Sequence, residues 1–136
     1  MTIYEAMIPI EPKTKKNHQK IIQVKGKPII VQSDAYRQYE KDAGWFLKRL
    51  REPITEPVNI RCLFYRKTAR RVDLTNLLEA IDDILVKYKI IADDDFKILA
   101  GHDGSRVLID REKPRTEIYI EEISVYNKRN DKEDET

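Results

Sequence analysis

Short oxygen-bearing side chains are concentrated in two places in this sequence. Residues 73–76 read Asp-Leu-Thr-Asn and lie between a strand-like segment and a helical pattern, and residues 93–95 are three consecutive aspartates. Adjacent acids repel one another unless solvent or a cation screens them. Magnesium prefers oxygen ligands and is often held by one or two carboxylates with phosphate and water. The two segments therefore predict a magnesium site shared between Asp73 and a carboxylate from residues 93–95.

Each segment also has a purely structural interpretation. Aspartate and threonine are preferred helix N-caps, so Asp73 or Thr75 can simply cap the helix that follows. Residues 93–95 can form a solvated acidic turn. Residues three and four apart share a helix face, and a polar row on that face can be either cation-facing or merely exposed. The row consists of Asn76, Glu79 and Asp83. The residues alone leave these alternatives open.

Hydrophobic periodicity predicts the elements that position these residues. Two helices are expected, one over residues 34–51, between a Ser33 N-cap and Pro53, and one over residues 74–88. Two apolar runs around Gly26 predict a hairpin. The predicted strands are residues 2–8, 57–66, 96–100, 107–109 and 116–123. This order predicts an α/β (α+β) fold, in which a mixed β-sheet carries two main helices.

Length and composition suit one folded domain. The chain has 136 residues, of which 40% are hydrophobic and 37% charged. We expect a domain over residues 1–126 and a polar, disordered tail over residues 127–136. The single cysteine, Cys62, excludes an intrachain disulfide, lies in an apolar run typical of a core, and fits a reducing compartment. We find neither a membrane-spanning run nor a signal-peptide pattern, so a cytoplasmic location without membrane association is expected.

The charges are unevenly distributed although their sum is only +2. Residues 11–32 and 61–71 are rich in lysine and arginine, whereas residues 79–103 are rich in acids. This layout is typical of a protein that binds phosphates at its edges and cations in its centre, although ordinary solvated charge would also explain either basic run. The predicted DNA-binding residues are Lys13, Lys15, Lys16, Arg70 and Arg71.

The sequence resembles the RusA family of Holliday-junction resolvases. The resemblance lies in residues 70–85, Arg-Arg-Val-Asp-Leu-Thr-Asn-Leu-Leu-Glu-Ala-Ile-Asp-Asp-Ile-Leu, followed by Ile-Ala-Asp-Asp at residues 91–94. The family signature is a basic residue, then Asp-x-Asp-Asn-Leu, a lysine, a later helical aspartate and an Asp-Asp pair. The resemblance extends over about residues 2–123. It indicates a divergent, phage- or prophage-like member.

The resemblance assigns roles to individual residues. Asp73 corresponds to the first catalytic aspartate, Asn76 to the asparagine of the signature, Asp83 to the later helical aspartate, and Asp94 to the metal-binding member of the Asp-Asp pair. Asp93 is the other member of that pair and a further candidate ligand. The resemblance implies a homodimer that uses Mg²⁺, with Mn²⁺ as a possible substitute, to nick four-way DNA junctions symmetrically in recombination and repair.

Two positions depart from the signature. Thr75 lies where the family has a second catalytic aspartate, and Glu79 lies where it has a lysine. A hydroxyl is a weaker metal ligand than a carboxylate, so Glu79 is a candidate replacement as a catalytic and metal-binding residue. Asp95 or Asp103 could also supply the missing carboxylate. The alternatives are a catalytically weakened protein that only binds branched DNA, and a nuclease that acts on other branched DNA.

Overall fold

The computed structural model describes residues 1–15 and 19–123, so the predicted tail over residues 127–136 and the candidate Lys16 lie outside the described residues. Within them the chain forms seven strands and two helices. In chain order these are β1 (Thr2–Ile8), β2 (Gln19–Val24), β3 (Lys27–Gln32), α1 (Asp34–Trp45), β4 (Val58–Arg66), α2 (Leu74–Lys87), β5 (Leu99–Gly101), β6 (Arg106–Ile109) and β7 (Arg115–Glu122).

The main sheet is mixed, as the sequence predicts. Its order is β1-β7-β4-β5, with β6 also paired to β4. Strands β1 and β4 both run antiparallel to β7, whereas β5 and β6 run parallel to β4. The crossover from β4 through α2 to β5 therefore brings the start of α2 to the carboxyl end of β4. Ligands of open α/β sheets commonly bind at that edge.

Alternation along the strands creates one buried face of the sheet. Val58, Ile60, Cys62 and Phe64 of β4 are fully buried, and the residues between them are more exposed. This confirms the prediction that Cys62 is a core residue, and its burial raises the pKa of the thiol. Helix α2 packs its apolar stripe on the same core, which includes Leu77, Ile81, Ile84 and Leu85.

Strands β2 and β3 form a separate two-stranded sheet, which confirms the predicted hairpin. Lys25 and Gly26 connect them with φ of 52° and 76°. Positive φ at both central positions is the geometry of a type I′ turn, and glycine adopts it without steric cost.

Helix α1 begins where predicted but ends six residues earlier than predicted, at Trp45. Ser33 caps its start by accepting a 3.2 Å hydrogen bond from the Tyr36 amide. At the other end, the Tyr4 hydroxyl of β1 donates a 2.8 Å hydrogen bond to the Lys48 carbonyl, which a longer helix would have used internally. Leu47 stays buried outside the helix, so the helical spacing of apolar residues continues beyond the helix itself.

The predicted strand over residues 96–100 is also wrong in its first half. Residues 95–98 form a turn instead, because the Asp95 carbonyl accepts hydrogen bonds from the amides of Ile98 and Leu99. Strand β5 begins only at Leu99 and pairs with β4 at Val58 and Asn59. No helix in the described part of the chain is both long enough and apolar enough to cross a membrane.

Glycine is required at position 44 because α1 and α2 meet there at close range. A Cβ atom on Gly44 would lie 2.3 Å from a ring carbon of Tyr88. Glycine to alanine usually stabilises a helix by about 1 kcal/mol, but Gly44→Ala must displace the Tyr88 ring. That displacement would break the 3.1 Å hydrogen bond from the Tyr88 hydroxyl to the Glu40 carbonyl. We expect a destabilisation of about 1–3 kcal/mol, measured by urea unfolding.

The control is the same substitution in a Tyr88→Ala background. Without the ring, Gly44→Ala should be neutral or stabilising. An equal loss of stability in both backgrounds would show that Tyr88 is not the cause.

Candidate active site

Asp73, at the N-terminus of α2, does not use its side chain as a capping residue usually does. Asp73 occupies the N-cap position, but its side chain makes no capping hydrogen bond. The Asn76 amide group lies 3.4 Å from the Asp73 carboxylate and orients it. Thr75 lies inside the helix, so the alternative that it caps α2 is wrong. The exposed Asp73 carboxylate is therefore open to a ligand rather than used by the helix.

The three aspartates of the acidic turn differ in their hydrogen bonding. The Asp93 side chain accepts a 2.8 Å hydrogen bond from the Asp94 amide, and the Asp95 side chain accepts a 2.9 Å bond from the Lys97 amide. The turn follows Ile90 and Ile91, which are fully buried. The side chains of Asp93 and Asp95 thus stabilise the turn itself. This leaves Asp94 as the best candidate ligand of the three.

A buried acid lies beside these candidates on α2. Asp82 is only 8% exposed, and one of its carboxylate oxygens is 2.9 Å from Nε2 of His102. The other carboxylate oxygen is buried without a hydrogen-bond partner among the described residues. Nδ1 of His102 donates to the Ile60 carbonyl of β4 at 2.7 Å. With Nδ1 donating, Nε2 can also donate to Asp82 only when the imidazole is protonated.

The electrostatics of this pair connect α2 with the acidic turn. Burial raises the pKa of Asp82, His102 offsets part of the rise, and the charges of Asp94 and Glu79 add to it. Burial alone would lower the pKa of His102, but the hydrogen bond and charge of Asp82, together with the Ile60 carbonyl and the charge of Asp103, outweigh burial and raise it. Asp82, Glu79 and Asp94 therefore belong to one electrostatic unit in which like charges oppose one another.

The turn that carries His102 is fixed on β4 by side chains. Asn59 accepts a 2.7 Å hydrogen bond from the Asp103 amide and donates a 3.0 Å bond to the Asp103 carbonyl. The Ser105 hydroxyl accepts a 3.0 Å bond from the Cys62 amide. Strands β5 and β6 pair with successive parts of β4, and these side-chain bonds hold the turn to β4 in the gap between the two paired segments. Such an interruption re-aims a side chain, and here it directs His102 toward α2.

Basic residues border the start of α2. Residues 67–71 are exposed and include Arg70 and Arg71. The N-terminal loop lies against this connection, because Glu11 accepts a 2.9 Å hydrogen bond from the Lys67 amide. Lys15 of the same loop forms an ion pair with Asp83 of α2. The N-terminal loop therefore contacts both the basic connection before α2 and the side of the helix that carries Asp83.

The structure brings some of the predicted residues together and leaves others apart. Asp94 and Glu79 both act on Asp82, whereas Asp83 is neutralised by Lys15 and faces the basic loop. Within residues 1–15 and 19–123, no three histidine, cysteine, aspartate or glutamate side chains lie close enough together to hold a metal ion. The arrangement is an acidic surface of separate carboxylates with a basic border.

Comparison with known families decides the classification. The family model described as Endodeoxyribonuclease RusA matches residues 9–121, which is most of the chain. The chain belongs to the RusA family. A search of curated proteins returned no match. The matched region contains Asp73, Glu79 and Asp94, so the resemblance inferred from residues 70–94 is confirmed at the level of the family.

Sequence reasoning about this RusA protein missed Asp82 and His102. A usable signal was present, because Asp82 is four residues after Leu78 and three before Leu85 and so falls on the apolar stripe of α2. An acid on a buried face needs a partner. The partner could not be named from sequence, since His102 reaches Asp82 only through the fold of the turn after β5.

The Asp82–His102 pair predicts a pH-dependent contribution to stability. A raised His102 pKa stabilises the fold below the ordinary histidine pKa of about 6.5, and this contribution is lost as the pH rises through the folded-state value. We expect His102→Gln to cost about 1–3 kcal/mol near pH 6 and less at pH 9. Urea unfolding of both proteins across this range measures the difference.

His18→Gln, which changes the only other histidine, is the matched control. A His102→Gln cost that is the same at every pH, or a His18→Gln curve that follows it, would contradict a charged His102.

Proposed function

We propose that this protein is a magnesium-dependent endodeoxyribonuclease that resolves four-way (Holliday) DNA junctions by symmetric phosphodiester hydrolysis. The observation that carries the proposal is the RusA match over residues 9–121, combined with an Asp73 carboxylate that its own helix does not use. Such a protein would act inside the cell on chromosomal or phage DNA, in recombination and repair.

The donor set fits magnesium in its chemistry. Asp73, Asp94 and Glu79 are exposed and offer hard oxygen ligands, and Asp93 has a second carboxylate oxygen to contribute. The unpartnered buried oxygen of Asp82 and the like charges around it also favour a nearby cation. Because magnesium sites often use only one or two carboxylates, substrate phosphate and water would complete the coordination. Manganese has the same preference for oxygen and is a reasonable substitute.

Each group of residues then has a distinct task. Asp73 and Asp94 would hold the cation, and Asn76 orients the Asp73 carboxylate. When bound, magnesium would activate water and neutralise charge on the phosphate. Arg70 and Arg71, with Lys13, Lys15 and Lys16 from the N-terminal loop, hold backbone phosphates without reading bases.

A homodimer suits this substrate. A four-way junction is nearly two-fold symmetric and needs two paired nicks, and a two-fold dimer presents two identical sites to it. Recognition by shape would explain how a chain with a net charge of only +2 selects branched DNA.

One alternative has a specific observation in its favour. Thr75 lacks the carboxylate of the signature, and the described residues bring no three metal-ligating side chains together. Both features would suit a protein that binds branched DNA without cutting it. Wild-type protein that binds a synthetic four-way junction yet leaves it intact with magnesium and with manganese would support this alternative and contradict our proposal.

Asp73→Asn and Asp94→Asn should each abolish junction cleavage while preserving junction binding. Each change keeps side-chain shape but removes a ligand charge, so the cleavage rate should fall about 100-fold or more. Binding should be equal or tighter, because phosphate meets less negative charge. Gel-based cleavage and fluorescence anisotropy with a labelled junction measure the two properties.

Asp95→Asn is the matched control, because it removes the same charge from the same turn. Its side chain already accepts the Lys97 amide, which asparagine can still satisfy. Loss of cleavage in Asp95→Asn with normal cleavage in Asp94→Asn would transfer the ligand assignment to Asp95.

Glu79 tests whether the departure at Thr75 is compensated. If Glu79 replaces the missing carboxylate, Glu79→Gln should lower both cleavage and Mn²⁺ affinity by about 10-fold or more. Thr75→Asp in the Glu79→Gln background should restore both. Mn²⁺ binding is measured by electron paramagnetic resonance, which needs no activity.

Glu112→Gln, an exposed acid in the turn before β7, controls for the loss of one charge. A silent Glu79→Gln in an active enzyme would remove Glu79 from the site.

A further inference from the structure

The C-terminal ends of α1 and α2 meet at a surface that the proposed reaction does not use. Gly44 allows the close approach, and the Tyr88 hydroxyl donates a 3.1 Å hydrogen bond to the Glu40 carbonyl. Beside this contact lies an open cavity of about 300 Å³. Its lining consists of Lys41, Gly44, Trp45, Leu47, Arg49 and Tyr88, and we call this surface the Trp45 platform.

Trp45 is exposed to an extent that core packing does not explain. It is 81% exposed at the last position of α1, whereas Leu47, two residues later, is 6% exposed. Exposing a large aromatic ring to water is unfavourable, and covering it with a partner would lower the free energy. The backbone beneath Trp45 is held by the Gly44–Tyr88 contact, so the ring is presented from a fixed position.

The charge around the ring is positive. Lys41 and Arg49 line the cavity, and Lys48 and Lys89 are exposed nearby in sequence. The two acids closest to Lys41 in sequence are already engaged, since Glu40 pairs with Lys87 and Asp42 accepts a 2.7 Å hydrogen bond from Gln38. Glu40 is thus neutralised by a lysine, whereas Asp42 keeps its charge because Gln38 is neutral. That single negative charge offsets only part of the combined charge of Lys41, Arg49, Lys48 and Lys89.

We propose that the Trp45 platform binds an unpaired base of single-stranded DNA, with the base stacked on Trp45 and the flanking phosphates held by Lys41 and Arg49. An aromatic ring with neighbouring cations is the combination that holds single strands without sequence preference. DNA is the polymer because the chain belongs to an endodeoxyribonuclease family. The proposal rests on that membership and not on junction cleavage.

The occupant is nucleic acid rather than a second copy of this chain. A two-fold contact centred on this surface would bring Lys41 and Arg49 of one copy toward the same cations of the other, and like charges repel. Phosphates instead complement them. Duplex DNA covers the faces of its bases except at its ends, so stacking favours an unpaired base.

The platform is separate from the acidic site. Asp73 precedes α2 and Tyr88 follows it, and the 14 residues between them span about 21 Å. One branched substrate could reach both places, with an unpaired segment on the platform. Binding to the platform should therefore be measurable without magnesium and without cleavage.

The sole tryptophan of the chain makes the test direct, because emission excited at the red edge, where the seven tyrosines do not absorb, reports on Trp45 alone. We expect an oligodeoxythymidylate of about 12 nucleotides, added in EDTA, to quench that emission with saturation. An abasic oligomer of the same length, which carries the phosphates without bases, should quench far less. Equal quenching by both, or none by either, would overturn the proposal. A change of emission on dilution without DNA would show self-association at this surface and would also overturn it.

Substitutions give the second arm of the test. Trp45→Ala should weaken binding of the labelled oligomer by about 5- to 150-fold, and Trp45→Phe should weaken it less. Lys41→Gln should reduce the salt slope of binding by about one, whereas Lys113→Gln, an exposed lysine in the turn before β7, should not. Unchanged affinity in Trp45→Ala would refute the platform. Because the ring is exposed, unfolding curves should confirm that Trp45→Ala remains folded.

Discussion

The hydrogen bond between Asp82 and His102 is the interaction on which the arrangement of the site depends. It joins the middle of α2 to the turn after β5, and His102 extends the connection to the Ile60 carbonyl of β4. Since α2 is a rigid element, fixing its centre on the sheet also fixes both of its ends. Asp73 lies before the first residue of α2 and Tyr88 after its last. Together with the apolar stripe of α2, this contact therefore helps to position both Asp73 and the Tyr88 side of the Trp45 platform.

Much of the fold could be predicted because its determinants are local. Alternation in β4 and β7 and the apolar stripe of α2 identified the sheet and its helix. The resemblance to the family signature then selected Asp73 and Asp94 as candidate site residues, because the signature depends on spacing along α2 and the following turn. What remained undecided was which of the three adjacent aspartates is free. The structure separates them by their backbone contacts, since the Asp93 and Asp95 side chains accept amides of their own turn.

The errors arose where distant residues compete with local preference. The apolar spacing of residues 34–51 is helical, yet α1 ends at Trp45, and the Tyr4 hydroxyl of β1 takes the Lys48 carbonyl. The row of Asn76, Glu79 and Asp83 left the role of Asp83 open, and the structure pairs that residue with Lys15 of the N-terminal loop. In each case the deciding partner lies more than 40 residues away in sequence, where periodicity carries no information.

The charge at residue 79 affects how strongly this acidic surface repels a DNA phosphate. The RusA signature has a lysine there, so Glu79 makes the surroundings two charges more negative. The charge of Glu79 already acts on Asp82 together with that of Asp94, and no lysine of α2 offsets them, because Lys87 pairs with Glu40. A phosphate approaching such a surface is repelled unless cations intervene. Lys15 is shared with Asp83, so in the proposed reaction most of this task falls to the exposed Arg70 and Arg71, to Lys13 and Lys16, and to the divalent ion. The same substitution that could supply a ligand would then make DNA approach more dependent on the metal.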